Sequence, residues 1–235
     1  MDIGEIISDS IKYPSSSWGK VLILGIITIA SILIVPLFLL LGYMFRIIKA
    51  TLAGIDELPE FDEIGEMFVD GLKVFVVGFI YAIPVWIISA IFGLLTGGTA
   101  ATTADLGTGY ALAFILGNIV TFIIAVIIGL VELMAIANMA YNDGDLGTAF
   151  RFSEILDIIS TIGWGKYIVT YIVIVILAFI GVMIGALTMI ILIGFILLPL
   201  IILPYMIMFE ARGIALLFTE AMETSQAPVE EPLVE

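Results

Sequence analysis

Seven carboxylates crowd into DELPEFDEIGEMFVD, residues 56–70: Asp56, Glu57, Glu60, Asp62, Glu63, Glu66 and Asp70. Read as a helix from about residue 60, the segment puts Phe61, Ile64 and Phe68 on one stripe and turns Asp62, Glu63, Glu66 and Asp70 away from it. Asp62 and Glu66 stand four apart, a spacing that lets two carboxylates share a divalent cation. The same face has the charge to hold a basic protein partner. A merely solvated acidic face fits the pattern as well, and no calcium-loop spacing is present.

A second chemistry lies deeper in the apolar sequence. Arg46, in GYMFRIIKATLAG (42–54), and Glu132, in VELMAIANMAYNDG (131–144), interrupt long greasy runs. An ionisable group at membrane depth costs about 2.5–3.5 kcal/mol on insertion scales, so it normally faces a bundle interior and has a partner. Glu132 sits about one helical turn deeper than Arg46 on the equivalent helix of an internal repeat, and a long arginine can cover one turn. The expectation is an Arg46–Glu132 pair inside a bundle, with Asn118 and Asn138 on the helix that carries Glu132. The rival is that both charges lie near the interface and reach for water. Glu210 and Arg212 close the last apolar run and read as anchors there.

The elements that position these residues follow from composition. The chain has 235 residues, 62% hydrophobic and 13% charged, with a mean hydropathy of +1.27. Soluble domains are closer to half apolar and a quarter charged. Residues 21–45 and 167–209 hold no charge at all. One helix crosses the hydrocarbon with about 20 residues, so the second run holds two spans. VIVILAFIGVMIGALTMIILIGFILL does not alternate as a membrane strand must. The class is an all-α integral membrane protein.

Without cysteine or histidine the chain has no disulfide, no thiol or imidazole catalysis, and no zinc or haem site built on those ligands. No cofactor or metal site is expected. P-loop, dinucleotide, nucleophile-elbow and zinc spacings are missing too. A net charge of −14 opposes binding to nucleic acid or to anionic lipid headgroups. Two function classes remain ahead of an enzyme. One is a partner-binding organiser of the membrane; the other is a transporter or channel for a small solute, ion or lipid. The acidic start, MDIGEIISDS, is unlike a basic secretory signal, so the first span is expected to stay as an anchor.

A faint threefold order runs through the chain. GEIISDSIKY (4–13), FDEIGEMFVDG (61–71) and FRFSEILDIIS (150–160) are acid-led amphipathic segments. Each leads to a lysine that opens an apolar run: Lys20, Lys73 and Lys166. The unit is a surface helix, a span in and a span back, giving units 1–54, 55–144 and 145–218 and an acidic, disordered tail over 219–235. Six spans are expected, at about 18–35, 36–53, 73–95, 110–140, 166–187 and 189–213. Pro36 marks the first turn. The rival is one kinked helix over 18–50 and five spans. Six spans gather all eight basic residues at one face, cytoplasmic by the positive-inside rule, with both termini on that side and Asp105 the one charge outside. Trp18, Lys20, Lys73, Trp164 and Lys166 read as interfacial anchors.

The stretch 42–84 resembles an archaeal family of membrane proteins known as domain of unknown function 4013. Its pattern is a Gly-Tyr helix carrying Arg, then a Gly, then Pro-x-Phe-Asp, then Asp-Gly-Leu-Lys opening the next span. Here those positions are Gly42, Tyr43, Arg46, Gly54, Pro59, Phe61, Asp62, Asp70, Gly71, Leu72 and Lys73. The resemblance implies a polytopic protein of an archaeal cell membrane. It brings no catalytic residue, substrate or cofactor.

Overall fold

A computed structural model describes residues 1–100 and 108–226; Asp105, and the expected tail from residue 227 on, lie outside the described residues. Within them the chain is helical, with no strand. The first helix, α1 (Ile3–Ser15), starts on a capping box. The Asp2 carboxylate accepts from the Glu5 backbone N–H at 2.8 Å, and the Glu5 carboxylate accepts from the Asp2 N–H at 2.7 Å, which satisfies two end donors at once. Ile6, Ser10 and Tyr13 form its buried face.

Next come α2 (Trp18–Ala30) and α3 (Ile34–Leu52), two separate helices rather than one kinked helix. The break falls at Ser31–Leu33, and Pro36 sits in the first turn of α3, where a missing N–H costs no helical bond. Gly54 ends α3 with φ +73. Ile55 N–H donates to the Ala50 carbonyl and Gly54 N–H to the Thr51 carbonyl, the paired bonds of a Schellman cap.

The longest helices are α4 (Ile64–Ala100) and α5 (Thr108–Tyr141). The acidic segment expected as a surface helix over 61–71 is therefore not separate: its first residues are loop, and the rest is the start of α4. After a 3-10 turn (Leu146–Phe150) come α6 (Phe152–Ile162) and α7 (Trp164–Thr188). The return path is α8 (Gly194–Leu197), a π turn (Leu198–Ile202) and α9 (Leu203–Gln226). Residues 219–226, expected to be disordered tail, belong to α9; Ala221 is buried there, and burial of that face keeps the helix going.

Among the described residues, five helices are long and apolar enough to cross a membrane: α3, α4, α5, α7 and the continuous path from Gly194 through α9. The sixth expected span, α2, has 13 residues, roughly 20 Å of helix at 1.5 Å per residue.

Glycine sets the closest helix contacts. A Cβ on Gly42 would stand 1.8 Å from the Met67 carbonyl oxygen, and one on Gly71 would stand 1.7 Å from that of Phe38. Only glycine lets α3 and α4 cross so closely. Pro204 has no N–H to offer the Leu200 carbonyl one turn earlier. That carbonyl faces Gly25 of α2, where a Cβ would stand 1.9 Å away, a place for a Cα–H···O contact.

The core gathers at the end that carries the basic residues. Tyr43, Phe45, Ile47, Met134, Met139, Ile155, Ile159, Phe209 and Phe218 are all buried there, supplied by α3, α5, α6 and α9. Toward the other end the molecule divides. The outer part of α4 packs with α5, and α7 packs with α8 and the π turn; α5 and α7 touch at Leu130, whose carbonyl accepts from the Tyr167 hydroxyl at 2.5 Å.

Candidate functional site at the basic end

Arg46 reaches the loop that joins α3 to α4. Its guanidinium donates to the carbonyls of Asp62 (2.7 Å), Glu63 (3.1 Å) and Glu60 (3.3 Å), and to Asp62 Oδ1 at 3.1 Å. Tyr43 stacks on Phe61 with centroids 4.0 Å apart and donates to the Pro59 carbonyl at 3.0 Å. From below, Lys20 donates to the Leu58 carbonyl at 2.5 Å and pairs with Glu60 at 2.7 Å, and Tyr13 donates to the Glu57 carbonyl. The loop is thus clasped to the helices through its own backbone. The expected Arg46–Glu132 pair does not form. A fork-shaped guanidinium finds several carbonyls at one loop, a better set of acceptors than one carboxylate on a neighbouring helix.

A second node forms around Arg212, whose side chain is 4% exposed. It pairs with Asp9 at 2.7 Å and Asp56 at 2.6 Å, donates to Thr51 Oγ1 and the Ile55 carbonyl, and lies 4.7 Å over the Tyr13 ring. One cation so ties α1, α3, the loop and α9 together. The sequence reading took Arg212 for an anchor, passed over Asp9 and counted Asp56 only among the crowded carboxylates. The available signal was an arginine amid apolar residues, which needs a partner. Burial pushes the Tyr13 phenol up to about 12, against the opposing pull of Arg212.

Lys20, Lys73 and Lys166, which open the apolar runs, also hold the chain together. Lys73 pairs with Asp70 at 3.5 Å. Lys166 pairs with Glu220 and donates to the Met1 carbonyl at 2.6 Å. Trp18 and Trp164 remain exposed at the starts of α2 and α7.

The acids divide accordingly. Asp62, Glu63 and Glu66 are exposed, while Asp70 is buried beside Lys73. With Glu60, Pro59, Arg46, Lys49 and Ala50 they line a cleft of about 320 Å³. The neighbouring Glu66 carboxylate raises the Glu63 carboxyl above the usual range. No three carboxylates among the described residues group to hold a metal ion.

A family model described as "Protein of unknown function (DUF4013)" matches residues 23–190. The chain belongs to the DUF4013 family. No curated protein and no solved structure matches it. The Arg46 clasp, from Gly42 to Lys73, lies inside the DUF4013 match, whereas Asp9 and Arg212 lie outside it.

The expected intramembrane group within the DUF4013 match is dispersed. Asn138 is buried and donates to the Thr148 carbonyl at 3.1 Å, fixing the 3-10 turn. Asn118 lies far along α5 and donates to its own Phe114 carbonyl. Glu132 sits beside Gly78, with Oε1 3.1 Å from where a Cβ there would stand. It lies within electrostatic range of Tyr81 and Tyr171, and Tyr171 also feels Glu210. Neither Glu132 nor Glu210 has a hydrogen bond or ion pair among the described residues.

Proposed function

We propose that this protein is a non-enzymatic membrane organiser that holds a basic protein partner on the acidic face around Asp62, Glu63 and Glu66. One observation carries the reading. Arg46 and Lys20 are drawn inward, and Glu60, Asp62 and Glu63 are left outside. Side-chain exposure is 12% for Arg46 and 17% for Lys20, against 70% for Asp62, 70% for Glu63 and 73% for Glu60. Arg46 and Lys20 are already committed to the loop, so the excess water-facing charge there is negative. Such a surface steers and orients a basic partner through complementary potential. The face would lie in the cytoplasm, with both termini, by the positive-inside rule, and the resemblance to DUF4013 points to an archaeal cell membrane.

The test uses the full chain in nanodiscs of zwitterionic lipid and a lysine- and arginine-rich peptide as probe. Binding is expected to weaken about tenfold in the triple change Asp62→Asn, Glu63→Gln, Glu66→Gln and to weaken with salt. Equal binding by parent and variant would sink the reading.

The proposed topology keeps three units, 1–54, 55–144 and 145–218, with α2 and α3 as a paired first hairpin. Phe38 lies against Phe75, and Gly42 against Met67 and Gly71. This antiparallel register brings the α2–α3 turn only about level with Phe79 of α4. Ile32, Leu33 and Ile34 at that turn are exposed and apolar, suited to hydrocarbon rather than water. The first hairpin then enters and leaves from one side, which preserves the side assigned to each later element. Labelling single cysteines with an impermeant reagent tests this: labelling at Ile32→Cys from the outer aqueous side would overturn it.

A second reading, transport of a small solute, rests on Glu132 and Glu210, two carboxylates without partners on helices that meet below the divided outer half. Ionisable groups at that depth commonly mark a pathway. Flux into proteoliposomes that survives unchanged in Glu132→Gln and Glu210→Gln would remove these residues from any such role.

A further inference from the structure

Hydroxyl groups in membrane helices usually donate back to their own helix. Here Thr28 donates to the Leu24 carbonyl at 2.8 Å, Thr170 to Lys166 at 2.9 Å and Thr188 to Gly185 at 2.6 Å. Ser89 on α4 and Thr121 on α5 depart from this pattern: neither has a hydrogen bond among the described residues. Both line one notch of about 120 Å³ between α4 and α5, together with Asn118, Gly93, Gly117 and the rings of Phe92 and Phe114. Asn118 donates one amide hydrogen to the Phe114 carbonyl at 2.8 Å. Its carbonyl oxygen and second hydrogen have no partner among the described residues.

The place makes this unusual. The notch lies in the outer half of α4 and α5, where, among the described residues, α4 and α5 pack on each other. Ser89 and Asn118 are exposed there, and the surrounding Ile87, Ile91, Ile115, Leu116, Ile119 and Phe122 face outward. Lipid tails offer no hydrogen bond to a polar side chain, so such groups draw in a neighbouring helix. Gly93 has nothing within 4 Å of where its Cβ would stand, which leaves the wall open to close approach by another backbone.

We infer that the notch is an intramembrane helix-docking site and that its occupant is a second copy of this chain, with Asn118 of each copy entering the notch of the other across a twofold axis. A primary amide both donates and accepts, so two asparagines satisfy each other where an asparagine facing lipid is unsatisfied. Ser89 and Thr121 take the remaining donor and acceptor positions. The pairing is isologous, the closed arrangement found most often in homo-oligomers. The volume suits one entering polar side chain. A filling of water alone would need about four molecules at roughly 30 Å³ each, held at a face turned to hydrocarbon. The site is incomplete in a single chain.

The test uses the full chain in bilayers or nanodiscs, with oligomer size read by single-molecule photobleaching and native mass spectrometry across a range of protein-to-lipid ratios. The parent is expected to dimerise. Asn118→Leu should reduce the dimer at least tenfold at equal density, Asn118→Gln should retain most of it, and the pair Ser89→Ala with Thr121→Val should fall between. Helical content and the thermal midpoint of the monomer should be unchanged in Asn118→Leu, which separates lost docking from lost folding. The chain has no cysteine, so Gly93→Cys gives a single reporter, and oxidation should yield a covalent dimer. A parent that stays monomeric at every density overturns the inference, whether water, lipid or another protein fills the notch. A dimer undiminished by Asn118→Leu overturns it as well.

Discussion

Phe45 and Phe122 are both phenylalanines in long apolar helices. Phe45 is fully buried, and Phe122 is 68% exposed. Phe45 belongs to the basic end, where α1, α3, α6 and the inner parts of α4, α5 and α9 surround one core. Phe122 belongs to the outer half, where residues 112–129 of α5 include only one buried position, Gly117. The two regions face different solvents. Water drives apolar side chains together at the basic end. Lipid does not distinguish an isoleucine on a neighbouring helix from its own tails, so association there depends on close packing and on polar pairs. The packed end can therefore hold a shaped charged surface, while the outer half is left open to lipid or to another helix.

The comparison can be broken at several points. Phe45→Ala should cost most, about 4 kcal/mol of unfolding free energy in bicelles, against less than about 1 kcal/mol for Phe122→Ala. Equal losses would mean the two halves are equally packed. Arg212→Met should follow at about 3 kcal/mol, because it strips a buried cation from Asp9 and Asp56; a loss comparable to that of the exposed Arg151→Met would deny the node its role. Gly71→Ala drives a methyl group into the Phe38 carbonyl and should cost about 2 kcal/mol. Gly93→Ala, in open space, should leave the monomer within about 0.5 kcal/mol of the parent. The smallest effect is alkaline. Tyr13 keeps its proton to about pH 12 in the folded chain, whereas an unfolded tyrosine releases it near pH 10. The contribution of Tyr13 to stability is whole below about pH 10 and fades as pH rises toward 12. Denaturation midpoints followed from pH 8 to 11.5 should fall more steeply in the parent than in Tyr13→Phe; parallel curves would remove Tyr13 from the alkaline response.

Much of this was legible from residue order. Long uncharged runs allow only membrane helices, and Lys20, Lys73 and Lys166 mark where polar sequence gives way to apolar. Gly42, Tyr43, Arg46, Pro59, Phe61, Asp62 and Gly71 were marked by family likeness, and they meet as one clasp. The partners of Arg46 were not legible. A carbonyl oxygen has no letter in a sequence, and Arg46 binds three of them. Asn138 likewise turned to the Thr148 carbonyl rather than toward Glu132. The Asp9–Arg212–Asp56 node joins residues from both ends of the chain, beyond any local spacing rule.

The sequence by itself determined the class of molecule, because so apolar a chain, without alternation, must satisfy its backbone inside helices. It also determined that acids outnumber bases, 22 to 8. Only the tertiary structure decided which charges meet water. Arg46, Lys20 and Arg212, near apolar helices, lose less by donating to loop carbonyls and a few carboxylates than by staying unpaired, so they turn inward and leave Asp62, Glu63 and Glu66 outside. Only the tertiary structure decided, too, that Ser89, Asn118 and Thr121 converge on one notch, since they stand on two helices whose register is set by how α4 and α5 pack.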